Sequence, residues 1–144
     1  MGEATEKILD RTATNVWTAG QGISLVGRRV LIVEDEILVA TIIECEIRCA
    51  GAHVVGPAYT LDEALDLADD EIDIAVLDIN LNGRKVWPVA RALRDRGVPY
   101  VFASANAFGP DAIPADFAGA MRFDKPVRMN SMLRALAELT RHVA

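Results

Sequence analysis

From Arg28 onward the chain repeats one pattern: a short unbroken apolar run, then a longer stretch with apolar residues three and four apart. Unbroken runs of this length mark strands covered on both faces, since a strand with one wet face would alternate. RRVLIV (28–33), HVVGPA (53–58), IDIAVLDI (72–79) and VPYVFAS (98–104) read as four strands in this way, and MRFD (121–124) as a short fifth. The stretches between them predict helices. One covers 36–50 and stops at Gly51, a residue suited to a helix C-terminus. The next is TLDEALDLADD, in which Thr60 and Glu63 have the spacing of a capping box. A third covers about 85–96, after LNGR as a turn, with Pro88 tolerable only in the first turn. A last helix covers about 128–142.

Strand and helix alternate five times, which predicts a doubly wound α/β fold. The five-stranded parallel sheet has helices on both faces and right-handed crossovers. Between the fourth and fifth strands, Pro110 and Pro114 each remove a helical donor and disfavour helix in the residue before. The fourth helix is expected to be shortened, mobile or largely unwound. Residues 1–27 lack the pattern. Gly20, Gly22 and Gly27 lie among polar residues and scattered Ile8, Leu9, Val16 and Trp17. We read them as a leader with at most a short helix near 3–13, and 28–144 as the domain.

Composition narrows the class. The chain has 144 residues, 51% hydrophobic and 25% charged, which fits one globular domain with a single core. A net charge of −6 argues against unaided binding to nucleic acid, which needs clustered Lys and Arg. A metal ion or a basic protein surface suits it better. No apolar stretch approaches the roughly 20 residues that span a bilayer. The N-terminus lacks the order of a signal peptide, so cytoplasm is the default and no membrane partner is expected. Cys45 and Cys49 fall four apart in one helix and can share a face; ordinary packing or surface thiols fit a reducing compartment better than a disulfide. His53 and His142 are isolated, so zinc is not indicated. Trp87 reads as a packing residue.

The chemistry lies where the strands end. Glu34, Asp35 and Glu36 follow the first strand, Asp78 the third, Ser104 the fourth and Lys125 the fifth. Each alone has a bland explanation as a turn residue, helix cap or surface lysine. Together they fall on the carboxyl edge of one sheet, where doubly wound folds bind ligands. Clustered carboxylates repel unless a cation intervenes. Glu34, Asp35 and Asp78 form an oxygen-rich pocket suited to Mg²⁺ or Mn²⁺. Phosphoryl transfer needs an in-line nucleophile and neutralised oxygens. Asp78 can supply the attacking oxygen and form an acyl phosphate, with Lys125 and Ser104 around the transferred group.

VLIVEDE, VLDINLNG, the FAS that closes the fourth strand and the KP before the last helix together resemble the receiver domain of two-component response regulators. That resemblance covers about 28–142 and implies a flavodoxin-like (βα)5 fold. It implies Asp78 as phospho-acceptor, Glu34 and Asp35 as the acidic pair with Asp35 the direct metal ligand, and the backbone carbonyl of Asn80 as a further ligand. Ser104 matches the switch hydroxyl and Lys125 the lysine beside the phosphate. The donor would be a sensor histidine kinase or a histidine phosphotransfer protein, the output a contact with a downstream protein target, and a homodimer is left open.

Some positions depart from the family. Its switch aromatic falls at Arg122, and Phe123 points to the opposite face of the strand. Ser104, Ala105 and Asn106 stand where one subgroup carries Thr-Gly-Tyr after Phe-Ala. By family analogy Asn80 and Asn106 flank the path of the hydrolytic water and tune a lifetime of seconds to minutes. The alternatives are the receiver portion of a hybrid histidine kinase and a Mg²⁺-dependent aspartate-nucleophile phosphatase. The latter wants an acid where Asn80 stands, and an amide shuttles no proton.

Overall fold

The structure is a computed structural model and describes residues 23–105 and 113–141. Its strands are β1 (Arg29–Val33), β2 (His53–Ala58), β3 (Ile74–Asp78), β4 (Asn80–Leu81), β5 (Arg84–Lys85), β6 (Tyr100–Ser104) and β7 (Met121–Asp124). The helices are α1 (Ile37–Cys49), α2 (Leu61–Leu67), α3 (Trp87–Asp95) and α4 (Met129–Thr140). β2, β1, β3, β6 and β7 lie side by side in that order, all parallel, as the expected five-stranded sheet.

The unbroken apolar runs have the expected cause. Along β1, Leu31 and Val33 face a cluster built with Ala64 of α2 and Val89 and Leu93 of α3. Val30 and Ile32 face the other cluster, with Ile43 and Ile47 of α1 and Leu133 and Leu136 of α4. Every one of these β1 side chains is removed from water, each contributing roughly 1.5–3 kcal/mol.

Local signals set the boundaries. The Thr60 hydroxyl accepts from Glu63 N–H at 3.1 Å, and the Glu63 carboxylate accepts from Tyr59 N–H at 2.9 Å, so the capping box closes. The helix it starts ends at Leu67, short of the acidic run expected to continue it. Pro88 sits in the first turn of α3, where its missing N–H costs nothing.

Three features differ from the sequence expectation. Packing begins at Ile23 and Leu25, ahead of Arg28; both are buried, and Leu25 N–H donates to Ala50 O at 2.8 Å. The LNGR turn is a small antiparallel hairpin, β4–β5, with Asn82 in the left-handed region at φ 53° and Gly83 at φ 90°. Between β6 and β7 the described residues hold one 3-10 turn, Ala115–Phe117, entered through Pro114. Pro110 and the rest of that expected short helix lie outside the described residues, as do Trp17, Asn106 and His142.

That turn is clasped to α3. Phe117 stacks on Trp87 at 5.5 Å, Arg91 and Arg94 each lie 5.6 Å from its ring, and Arg94 bridges Asp116 at 3.1 Å. Trp87 also meets Phe102 edge-on, so it is the packing residue expected.

Candidate functional site

The sheet order places β1 between β2 and β3, with the chain leaving in opposite directions on either side. At this switch point the helices diverge and leave a crevice beyond the strand ends. Asp35 and Glu36 follow β1, Asp78 ends β3, Ser104 ends β6 and Lys125 follows β7. All of them, with Asn80 and Ala105, line one cleft of about 290 Å³. The juxtaposition expected at the carboxyl edge is realised.

Glu34 is nearly inaccessible, at 1% exposure. Burying a carboxylate is tolerated only with partners, and both of its oxygens have them. Oε1 accepts from Lys125 Nζ at 2.6 Å, and Oε2 from Glu36 N–H at 3.0 Å. Its own N–H donates to Ala58 O at 2.9 Å, beyond the register shift that Gly56 and Pro57 introduce in β2. Glu34 is therefore first of all the anchor of Lys125, a role the run of acids did not disclose.

Lys125 reaches from Glu34 toward Asp78, whose Oδ2 lies 3.4 Å from the ammonium, with Glu36 at 3.9 Å. Burial alone would lower the lysine's pKa; the Glu34 and Asp78 carboxylates outweigh it and hold the ammonium charged above its usual range. The Lys125–Pro126 peptide is cis, and Lys125 N–H donates to Ser104 O at 3.2 Å. This bond ties the end of β6 to the lysine.

Asp78 is in the opposite electrostatic situation. Burial, then the charge of Glu34, raise its pKa from 3.8 to about 8; Lys125 opposes them, and Asp35 adds to the rise. The carboxyl groups of Glu34, Asp35 and Asp78 can bring one oxygen each within 4.8 Å of one another. That donor set fits a hard divalent cation: all ligands are oxygens, Asp35 and Asp78 both line the cleft, and positive charge would relieve the repulsion. Asp35 Oδ2 accepts from Asn82 N–H at 3.0 Å, which aims the carboxylate and couples β1 to the hairpin. Asn80 borders the cleft, but its amide oxygen accepts from Gly83 N–H at 2.8 Å and so closes the hairpin.

Arg122 pairs in register with Phe102, whose side chain belongs to the α2–α3 side of the core. Phe123 packs on the opposite cluster with Val127 and Met129, as strand alternation requires. No aromatic thus occupies position 122 beside the Ser104 end of β6.

The response regulator receiver domain model matches residues 30–137. The chain belongs to the response regulator receiver family. The regulatory protein VanR of Enterococcus faecium is 31% identical over 118 residues, 79% of this chain and 51% of VanR, so the chain spans about half the length of that relative. SdrG of Sphingomonas melonis, solved in solution, is 38% identical with a TM-score of 0.66, covering 78% of this chain and 95% of SdrG. The receiver domain of the sensor histidine kinase PA1611 from Pseudomonas aeruginosa is 25% identical with a TM-score of 0.70, covering 81% and 99%. Its structure holds a magnesium ion coordinated in the active site cleft. As a receiver domain this chain is a component of two-component signalling. Among the described residues no helix is long and apolar enough to cross a membrane.

Proposed function

We propose that this receiver takes a phosphoryl group from a phosphohistidine onto Asp78 and signals through protein contact while it is held there. The observation that carries this reading is the convergence on Asp78 of one fixed cation, Lys125, and two further carboxylates. No other arrangement among the described residues joins a nucleophile to that charge pattern.

An Asp78 oxygen attacks phosphorus as the bond to the histidine nitrogen breaks, so the products are an acyl phosphate and neutral or protonated imidazole. Lys125, held by Glu34, lies beside the attacking carboxylate and meets the charge on the transferring oxygens. Ser104, at the end of β6 on the same cleft, would donate its hydroxyl to a phosphoryl oxygen. Asp35 and Asp78, with the Asn80 carbonyl, would hold Mg²⁺ or Mn²⁺, and Glu34 would act on it through water because Lys125 and Glu36 N–H already engage its oxygens. Such an ion supplies positive charge to the phosphoryl group and lets Asp78 ionise despite its burial.

The residue two past Asp78 is Asn80, an amide whose oxygen accepts from Gly83 N–H, so no acid stands there to drive turnover of phosphomonoesters. Incubation with Mg²⁺ and a small phosphodonor, beside a chromogenic monoester, separates the two activities. Stoichiometric labelling that disappears in Asp78→Asn supports the receiver; many turnovers of the monoester would replace it with a phosphatase. The sensor kinase or phosphotransfer protein and the downstream target are proposed from the same chemistry: a partner must present a histidine to the cleft, and another must read the altered rim.

A further inference from the structure

The hairpin beyond Asp78 is too short to stand alone, since each of its strands has two residues. It is fixed from below. Val86 N–H donates to Ile79 O at 2.9 Å across its base, and Leu81 and Val86 are buried in the core cluster that holds Val89 and Leu93. Its loop is Asn82-Gly83, with φ of 53° and 90°. Two left-handed residues in a two-residue loop match the twist of the flanking strands, and Asn-Gly is the pair that adopts them most readily. A side chain at Gly83 would meet nothing within 4 Å, so backbone conformation rather than packing shapes the turn.

In such a loop the ladder uses the flanking residues, here Leu81 and Arg84, and leaves the two loop N–H groups to find other acceptors. Gly83 N–H donates to Asn80 Oδ1 at 2.8 Å. Asn82 N–H donates to Asp35 Oδ2 at 3.0 Å, across to the residue that follows β1. A carboxylate can take a metal through one oxygen or through both, and an N–H fixed on one oxygen favours the first mode. Mg²⁺ is served by single oxygens and waters in an octahedron at about 2.0–2.1 Å. Ca²⁺ is larger, takes about six to eight oxygens, and gains from carboxylates that offer both.

We infer that Asn82 is a positioning residue: its N–H ties Asp35 Oδ2 to the hairpin, holds Asp35 to one-oxygen coordination and so selects Mg²⁺ over Ca²⁺. This rests on the reading of the acidic cleft as a metal site and adds to it a determinant of which divalent ion is taken. The group that acts is the backbone amide, not the side chain. The same rigid hairpin carries the Asn80 carbonyl, so it would supply one ligand itself and orient another from β1.

The test is calorimetric titration of the full chain with Mg²⁺ and with Ca²⁺. The native sequence is compared with Gly83→Val, with Asn82→Gly, and with a chain carrying the α-hydroxy acid counterpart of asparagine at 82. That last change puts an ester oxygen where the N–H was. It should lower the ratio of Mg²⁺ to Ca²⁺ affinity roughly tenfold. Gly83→Val, a β-branched residue at φ 90°, should do the same by deforming the turn. Asn82→Gly is the conservative variant: it keeps both the N–H and the left-handed backbone, and should give the native ratio. Melting curves in chelator check the fold, and the ester chain decides the matter if valine disturbs it. An equal loss for both ions, or no loss, overturns the proposal, because a merely structural role weakens both alike. A native chain that binds neither ion refutes the metal reading itself, a result distinct from native binding with an unmoved ratio.

Discussion

Replacing Asp78 by Asn should make the metal-free domain more stable, although it removes the group on which function depends. Burial, Glu34 and Asp35 lift the Asp78 pKa from 3.8 to about 8 against the pull of Lys125. The folded protein therefore binds more protons than the unfolded chain between those two values, and its stability falls as pH rises through that window. Below it the carboxyl is neutral in both states, and above it the loss is complete. At pH 7 the full shift would correspond to roughly 4 kcal/mol at about 1.4 kcal/mol per tenfold change in proton affinity. The cleft opens to solvent, so relaxation and screening reduce this to about 2 kcal/mol. Urea unfolding in chelator should show Asp78→Asn more stable by that amount near pH 7. The gain should vanish near pH 4 and be largest at pH 8 and above. A variant equal to or weaker than the native chain at pH 8 would refute the electrostatic account of the cleft.

Lys125→Met leaves the buried Glu34 carboxylate without its cation and should cost about 3 kcal/mol in chelator by denaturant titration; a loss well under 1 kcal/mol would mean that water replaces the ammonium freely. Mg²⁺ at about 100 times its dissociation constant should add about 2.7 kcal/mol to the native domain, seen as a higher Tm, and much less to Asp35→Asn. Gly56→Ala should destabilise by more than 1 kcal/mol, because φ is +95° and the new Cβ would lie 2.8 Å from Ala58 N. Since Ala58 O holds Glu34 N–H, Mg²⁺ affinity in a calorimetric titration should fall with it.

Much of this site could be read from residue order. The apolar runs stop at Val33, Leu77 and Ala103, and the polar residue that follows each falls on the same edge because parallel strands all end there. Thr60 and Glu63 announced their capping box because both partners are local. What escaped notice depends on contacts distant in sequence or on elements too short to have a period. Strands β4 and β5 have two residues each, and only the Asn80–Gly83 bond and the left-handed Asn82 reveal the hairpin that positions Asp35. Ile23 and Leu25 do alternate with exposed Ser24 and Val26, but two apolar positions are too few to distinguish from a leader. The role of Glu34 as the anchor of Lys125 joins residues 91 positions apart, which no local pattern records.

The most direct test locates the phosphoryl group chemically. After treatment with a small phosphodonor and Mg²⁺, borohydride reduction converts an aspartyl phosphate to homoserine, and peptide mass spectrometry identifies the residue. Homoserine is expected at position 78 of the native chain, absent when the cation is chelated and absent in Asp78→Asn. Homoserine elsewhere, or a phosphoryl group found on Ser104 instead, would contradict the assignment of Asp78 as the acceptor.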